Sequence, residues 1–185
     1  MIRESDLPEE QEWNKYFDPS KILRLLGLSE STLDVVDVGC GYGTFTIPAA
    51  GIIRGKIYAI DIDPEMIKTV ENKARINNLG NVVGVLRDFV SKGSGLEDSS
   101  VDYVMFFNIL HAENPENLLT EACRILKLGG RLGIIHWIYD EAISGLPLGI
   151  KPKPEDCRRW AESVGFSFEY QVDLKPYHFG ILMRK

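Results

Sequence analysis

Short apolar runs alternate with longer amphipathic stretches from Leu33 to the end of the chain. Runs of this length are typical of buried strands, and the amphipathic stretches have the spacing of helices that cover a sheet. Strands are predicted in TLDVVDVG, GKIYAIDID, NVVGVLRDF, VDYVMFFNIL, RLGIIHWIY, FSFEYQVDL and YHFGILMRK. Helices are predicted in TFTIPAAGII, PEMIKTVENKARINNLG, NPENLLTEACRILKLGG and KPEDCRRWAESVG, and SKGSGLEDSS is predicted to be a loop.

Proline and glycine mark the expected ends of these helices. Pro48 fits its helix only in the first turn, and Pro64 stands at a first helical position. Gly80 stands just past one predicted C-terminus, and the pair Gly129-Gly130 is expected to stop another helix.

The order of the elements predicts an α/β fold, because parallel strands need crossover connections that are usually helical. The last two strands are joined only by a short turn at Lys175-Pro176, so one of them must run against its neighbours. We expect a single domain over residues 1–185. Residues 1–30 are expected to form a cap or lid, with two helical pieces broken at Asp18-Pro19.

Composition and charge exclude some classes of protein. A net charge of -6 argues against a protein that binds nucleic acid, which needs clustered lysine and arginine. The three cysteines are scattered, which indicates reduced thiols in an intracellular compartment. No signal peptide is evident, and no stretch approaches the roughly 20 apolar residues of a membrane span. We therefore expect a cytoplasmic protein without a membrane span.

The segment VVDVGCGYGTFT spans the end of the first predicted strand and the turn after it, and it carries Gly39, Gly41 and Gly43. Ligands of open α/β sheets bind beyond the carboxyl ends of the strands, and glycines let the backbone approach them closely. A tight turn without a ligand would have the same glycines. Asp61 lies about 20 residues further on, where a carboxylate can accept both hydroxyls of a ribose. Together these features favour a ligand that contains adenosine.

Two residues distinguish S-adenosylmethionine from a dinucleotide. The dinucleotide fingerprint GxGxxG, counted from Gly39, would place a glycine where this chain has Thr44. Asp37 precedes the loop, and its carboxylate suits an α-amino group better than a pyrophosphate.

The successive motifs VVDVGCGYGTFT, YAIDIDPEMI, VLRDFV, VDYVMFFNILH and ILKLGGRLGII resemble those of the class I S-adenosylmethionine-dependent methyltransferases. The resemblance runs from about Leu33 to the end and is nearest to small-molecule enzymes of the UbiE-like type. It implies a Rossmann-like, doubly wound sheet of seven strands with order 3-2-1-4-5-7-6 and strand 7 antiparallel. It also implies S-adenosyl-L-methionine as the cofactor and S-adenosyl-L-homocysteine as the product.

The same resemblance implies the cofactor-binding residues, which are Asp37, Gly39, Cys40, Gly41, Gly43, Asp61, Ile62, Asp88, Phe89 and Asn108. Asp37 would lie near the methionine amino group and Asp61 would hold the ribose hydroxyls, with Gly39, Cys40 and Gly41 along the path between them. Adenine would pack on Ile62 and Phe89 and donate its amine hydrogen to Asp88, whereas Asn108 would lie near the transferred methyl group. Ile62 and Phe89 could equally be ordinary core residues.

Two histidines are candidate catalytic residues. Methyl transfer from a sulfonium needs a general base only when the acceptor must lose a proton. His111 and His136 each follow the carboxyl end of a predicted strand, and imidazole titrates in the useful range. A structural role is the alternative for both, and His178 is expected to be structural.

The predicted acceptor is a small molecule, because the loop WIYDEAISGLPLGIKPKP after the fifth strand is short and limits the pocket. Two other functions stay open at this point. One is an NAD-dependent oxidoreductase, and the other is a module that binds S-adenosylmethionine without catalysis. The residues indicate a class of acceptor but neither its identity nor an oligomeric state.

Overall fold

The structure is a computed structural model, and it describes residues 9–140 and 147–185. The strands are β1 Val35–Val38, β2 Ile57–Asp61, β3 Val82–Leu86, β4 Val101–Phe107, β5 Leu126–Trp137, β6 Ser167–Leu174 and β7 His178–Arg184. The helices are α1 Glu10–Asn14, α2 Pro19–Leu25, α3 Thr46–Ile52, α4 Pro64–Ile76, α5 Phe89–Lys92, α6 Pro115–Ile125 and α7 Pro154–Ser163, with a 3-10 turn at Leu148–Ile150. No helix of the described ranges is both long and apolar enough to span a membrane.

The strands form one sheet with the order β3-β2-β1-β4-β5-β7-β6, which confirms the expected order. The first five strands are parallel, and β7 runs antiparallel to both β5 and β6. The strand order reverses between β1 and β4, and in such sheets the crevice at that point binds ligands. Because β7 is reversed, its first residues lie at the same edge as the carboxyl ends of the parallel strands.

Helices cover both faces of the sheet. Helices α5, α6 and α7 pack on one face, where Leu119 and Ala161 join a buried cluster with Phe106. Helices α2, α3 and α4 cover the other face, where Leu23 packs with Met105. All four residues of β1 are buried, as expected for a central parallel strand that is covered on both sides.

Several predicted helix starts are confirmed. Pro64 is the first residue of α4, and the Asp63 carboxylate caps it by accepting from the Glu65 backbone N–H over 2.8 Å. Pro48 lies in the first turn of α3. The break at Asp18-Pro19 is also present, and Asp18 caps α2.

Both predicted glycine stops, at Gly80 and Gly129-Gly130, are wrong. After α4 the left-handed residue is Asn78 (φ 55°), an asparagine that tolerates this conformation, rather than Gly80. Helix α6 ends at Ile125, and Gly129-Gly130 lie inside β5 at an irregularity in its pairing with β4. Glycine suits this position because Gly129 has a φ angle of 79°, which residues with a side chain rarely adopt.

The predicted loop SKGSGLEDSS also needs a small correction, because Ser91 and Lys92 end the short helix α5. Two other predicted regions lie partly outside the described residues. These are the N-terminal cap, of which residues 1–8 are not described, and the loop after β5, of which residues 141–146 are not described.

Candidate active site

The glycine loop after β1 has the backbone conformation that only glycine adopts freely. Gly39, Gly41 and Gly43 have φ angles of 70°, 49° and 77°. The backbone N–H groups of Gly39 and Cys40 both donate to the Ile60 carbonyl oxygen, over 2.8 and 3.1 Å. The loop is therefore anchored to β2 before any ligand is bound.

Gly43 has a packing role that its motif position did not indicate. A Cβ atom at this residue would lie 3.0 Å from Cγ2 of Val70, so glycine lets α4 approach the loop. The neighbouring Thr44 donates its hydroxyl hydrogen to Oδ1 of Asn14 in α1 over 3.0 Å. Thr44 thus ties the N-terminal segment to the loop, and a cofactor contact at Gly43 stays a prediction.

Asp61 ends β2 with a carboxylate that is held in one orientation. Oδ2 accepts from the Gly41 backbone N–H over 2.9 Å, and Oδ1 accepts from the Asp63 N–H over 3.0 Å. Each oxygen has a second lone pair that can accept a hydroxyl hydrogen. The side chain of Ile62, next in the chain, is 44% exposed, so Ile62 is not a core residue. An ionic acceptor beside an exposed apolar surface fits a ribose that carries a flat base.

Asp37 lies in the middle of β1 and is only 3% exposed. Its Oδ2 accepts a hydrogen bond of 2.5 Å from the Thr46 hydroxyl. Burial raises the pKa of the Asp37 carboxyl to about 7, the Thr46 hydrogen bond opposes this rise, and the negative charge of Asp61 adds to it. A buried carboxylate of this kind is stabilised by a cation, so it fits the ammonium of an amino acid group.

Cys40 is buried next to these two carboxylates. Burial and the charges of Asp37 and Asp61 raise the pKa of its thiol far above the usual value, so the thiol stays protonated. The described residues contain no group of His, Cys, Asp or Glu side chains that could hold a metal ion. Cys40 can therefore line the loop but is not a nucleophile.

Asp88 and Phe89, predicted at the adenine, also have structural roles. Asp88 caps α5 by accepting from the backbone N–H and the hydroxyl of Ser91, over 3.1 and 2.6 Å. Phe89 is 5% exposed and packs in the core, with its ring 5.9 Å from that of Phe106. Phe89 is therefore a core residue, which was the alternative to an adenine contact. Contacts of Asp88 and Phe89 with adenine stay predictions.

Asn108 follows β4 in the left-handed conformation, with φ 57°. Its backbone N–H donates to the Ile135 carbonyl over 2.8 Å, and its Nδ2 lies 3.3 Å from Nε2 of His178. Unfavourable backbone conformations of this kind persist where the surroundings hold them, and they cluster at ligand sites.

All three histidines of the chain lie at this edge of the sheet. The expectation that His136 follows the carboxyl end of a strand is wrong, because β5 continues to Trp137 and His136 is its last residue but one. The rings of His111 and His136 have centroids 5.7 Å apart, and Nδ1 of His136 accepts from the Trp137 backbone N–H over 3.0 Å. His178 lies between the rings of Phe17 and Trp137, at 4.5 and 4.2 Å. The antiparallel register pairs Trp137 with His178, which no local sequence pattern indicates.

The histidines are neutral at neutral pH. Burial lowers the pKa of His111, and burial with the nearby Lys151 charge lowers that of His178 to about 3. The pKa of His136 lies well below its usual value, first through burial and then through the positive charges that His111, His178 and Lys151 can carry. The Lys151 ammonium is itself buried and donates to the Asp140 carbonyl oxygen over 3.2 Å.

In the part of the chain that the structure describes, four buried side-chain polar atoms lack a hydrogen-bond partner. They are Asn108 Oδ1, His111 Nδ1, His136 Nε2 and His178 Nδ1. Buried polar atoms are nearly always paired, and each exception needs an explanation. All four belong to one cluster at the carboxyl edge of the parallel strands, where open α/β sheets bind ligands, so a polar group of a ligand fits as their partner.

Comparison with known proteins identifies the family. The profile described as a methyltransferase domain matches residues 29–158, which is more than half of the chain. The chain belongs to this methyltransferase family. A solved S-adenosylmethionine-dependent methyltransferase from Aquifex aeolicus is 29% identical and superposes with a TM-score of 0.84, covering 95% of this chain and 93% of that one. S-adenosylmethionine is therefore the cofactor of this methyltransferase, as the resemblance implied.

Curated relatives of the methyltransferase differ in their acceptors. The sterol 24-C-methyltransferase of Yarrowia lipolytica is 28% identical in an alignment of 159 positions that covers 77% of this chain and 41% of the relative. The ribosomal protein L11 methyltransferase of Halalkalibacterium halodurans is also 28% identical, over 77% of this chain and 40% of the relative. The chain thus spans about two fifths of the length of these relatives.

The N-terminal segment of the methyltransferase closes over the same edge. The ring of Trp13 lies 6.2 Å from that of Trp137, and Tyr16 packs against Trp137 and Tyr177 at 5.2 and 5.0 Å. We call these four residues the aromatic wall. The sequence predicts the glycine loop, Asp61, His111 and His136 at one edge and an N-terminal lid that carries Trp13 and Tyr16. It does not indicate that these two rings pack on Trp137, or that His178 contacts Asn108.

Proposed function

We propose that this protein transfers the methyl group of S-adenosylmethionine to a small-molecule acceptor. The observation that carries the proposal is the arrangement of the sheet edge. Asp61, fixed by Gly41 and Asp63, lies at the end of β2. The unpartnered polar cluster lies just after β4, at the last residue but one of β5 and at the start of β7. The first region suits a nucleoside and the second suits a reacting group.

The cofactor supplies a sulfonium methyl group that a nucleophile displaces in line. We assign the ribose hydroxyls to the Asp61 carboxylate and the adenine face to Ile62, with Asp88 as the partner of the adenine amine. Asp37 compensates the charge of the ammonium from its buried position in β1. The chain's remaining task is to hold the acceptor in line and, where needed, to take its proton.

Enclosure by aromatic side chains supports a small acceptor. Trp137 is 4% exposed and is covered by Trp13 and Tyr16 from the N-terminal segment. Rings of this kind suit contact with an apolar or aromatic molecule, because ligand sites combine apolar walls with a few polar groups. Two other expectations do not concern the acceptor. The three free cysteines support the expected cytoplasmic location. The UbiE-like subtype of the family stays a prediction.

We also propose that the segment up to residue 30 acts as a lid of this single-domain protein. Besides Asn14, Glu10 joins α1 to the body through an ion pair with Lys73, whose ammonium also donates to the Tyr42 carbonyl oxygen over 2.7 Å. Trp13→Ala removes a ring from the wall and should speed S-adenosylhomocysteine release several-fold in stopped-flow displacement. Glu12→Ala is the control, because Glu12 is exposed on the same helix; equal release rates in the two variants would reject the lid.

A labelled-methyl assay tests the proposed function. S-adenosylmethionine with a labelled methyl group is incubated with the protein and, separately, with a small-molecule extract and a protein extract. We expect label in the small-molecule fraction, lost with Asp61→Ala and kept with Asp173→Asn, an exposed control. Label only in the protein fraction would instead favour an acceptor of the kind named for the ribosomal protein L11 methyltransferases, and would reject the small acceptor.

A further inference from the structure

His136 has one engaged ring nitrogen and one unpartnered ring nitrogen. Nδ1 accepts a hydrogen bond from the backbone N–H of Trp137, so in the neutral ring the hydrogen must lie on Nε2. The side chain is fully buried, and Nε2 has no partner. His136 is therefore a fixed N–H donor. It has no free lone pair with which to take a proton from an acceptor.

His111 presents the complementary nitrogen. Its ring lies 5.7 Å from that of His136 at an interplanar angle of 74°, and its buried Nδ1 lacks a partner. No backbone donor occupies this nitrogen, so it can carry a lone pair. The two histidines thus differ in what they can do: His136 donates a hydrogen bond, and His111 can accept a proton.

We propose that the acceptor carries a phenol or enol hydroxyl, whose oxygen accepts a hydrogen bond from Nε2 of His136 and whose proton passes to Nδ1 of His111. This inference rests on the proposed methyl transfer and names its substrate class. Both histidines touch the acceptor and are catalytic residues, with His111 as the general base.

The choice of a hydroxyl follows from the two nitrogens. A hydroxyl oxygen has two lone pairs and one hydrogen, so it can accept from His136, attack the methyl group and donate to His111. A carboxylate has no hydrogen for His111. A neutral amine has a single lone pair, which must attack the methyl group and cannot also accept from His136. A thiol sulfur is only a weak acceptor. A hydroxyl therefore satisfies both unpartnered nitrogens, which otherwise stay buried without a partner.

The environment favours an acidic hydroxyl over an aliphatic alcohol. Among the described residues, the titratable groups that act on the His136 imidazole are His111, His178 and Lys151, and none of these three is an acid. Burial alone lowers the pKa of His111. The base is thus a weak one, so an efficient proton transfer needs an acceptor that loses its proton readily, as a phenol does near a pKa of about 10. The aromatic wall around Trp137 suits the ring or conjugated system that such a hydroxyl belongs to.

The step balances without any further reagent. The hydroxyl proton moves to Nδ1 of His111 as the oxygen forms its bond to the methyl carbon. The electron pair of the broken carbon–sulfur bond stays on sulfur and leaves a neutral thioether. The products are a methyl ether and the His111 imidazolium, which returns its proton to solvent.

NMR of protein labelled with ¹⁵N at histidine tests the geometry without turnover. S-adenosylhomocysteine is first shown to bind, so that a failure of the proposed function is recognised separately. We expect the His136 hydrogen on Nε2 between pH 5 and 8, and we expect phenol to shift the signals of His111 and His136 in the complex. Benzoate and benzylamine are the matched probes. A hydrogen on Nδ1 of His136, or shifts by either of these probes but not by phenol, would overturn the proposal.

Kinetics with the methylated product test the chemistry. The product formed from the small-molecule extract should carry the label on oxygen, and His111→Gln should lower turnover by about a hundredfold or more. It should also abolish the acidic limb of the pH profile while S-adenosylhomocysteine affinity is unchanged. His136→Gln should retain more turnover than His136→Phe, because an amide N–H can replace Nε2–H. A label on nitrogen, sulfur or carbon, or an unchanged pH profile, would reject the assignment.

Discussion

Replacing Asp37 by asparagine is expected to stabilise the cofactor-free protein, and the gain should increase with pH. Asp37 is buried in β1, and its pKa rises from 3.8 to about 7 on folding. A group with a raised pKa contributes stability at low pH that is lost as pH rises through the folded-state pKa. Asparagine carries no charge at any of these pH values, so it removes this loss.

The size of the effect follows from the two pKa values. Relative to a side chain that does not titrate, Asp37 lowers the free energy of unfolding by about 4 kcal/mol at pH 8, where the folded protein holds a buried carboxylate. At pH 5 the reduction is about 1.5 to 2 kcal/mol, because folding then requires the carboxyl to take up a proton. The free energy of unfolding of Asp37→Asn relative to wild type should therefore increase by about 2.5 kcal/mol between pH 5 and pH 8. A constant packing or hydrogen-bond penalty at Thr46 cancels in this difference.

Urea unfolding of cofactor-free wild type and variant at the two pH values measures this difference. Asp173→Asn is the control, since the Asp173 side chain is 68% exposed and should show almost no such dependence. A stability difference that is the same at pH 5 and pH 8 would refute the account of Asp37. The same variant should bind S-adenosylhomocysteine more weakly, because it lacks the carboxylate that compensates the ammonium.

Three further substitutions test the loop and the strand ends. Asp61→Ala should weaken cofactor binding by about 1 to 3 kcal/mol in calorimetry, whereas Asp63→Ala, which removes only a helix cap, should mainly lower the melting temperature. Gly43→Ala should destabilise the fold by about 1 to 3 kcal/mol in urea, and Val70→Ala should relieve part of that loss in the double mutant; additive effects would contradict the packing role. Asn108→Gly should preserve thermal stability better than Asn108→Ala, since φ is 57°; the reverse order would contradict the backbone argument.

The sheet and the glycine loop could be predicted because they depend on local patterns. Alternation of apolar strands with amphipathic helices determines a parallel sheet, and the absent crossover before β7 indicates its reversed direction. Gly39 and Asp61 are recognisable because the loop conformation and the carboxylate position are properties of single residues at fixed spacing.

The remaining features depend on contacts between segments that are distant in the chain. The contact of the His178 ring with the Trp137 ring follows from strand register, and the Gly43 contact with Val70 follows from the approach of α4. Gly129 is an example. A glycine that follows a helical pattern is usually taken as the end of the helix, but a glycine also fits an irregular position in a strand, which is where Gly129 lies. Such features can be seen only in the tertiary structure. The local sequence allows more than one conformation or role for these residues, and strand pairing and helix packing determine which one occurs.

Isothermal titration with S-adenosylhomocysteine is the most direct test of the central claim that this sheet edge binds the methyl-donor cofactor. We expect saturable binding at one site per chain, with affinity greatly reduced in Asp61→Ala, and no binding of NAD under the same conditions. Saturable binding of NAD without a response to S-adenosylhomocysteine would contradict that claim.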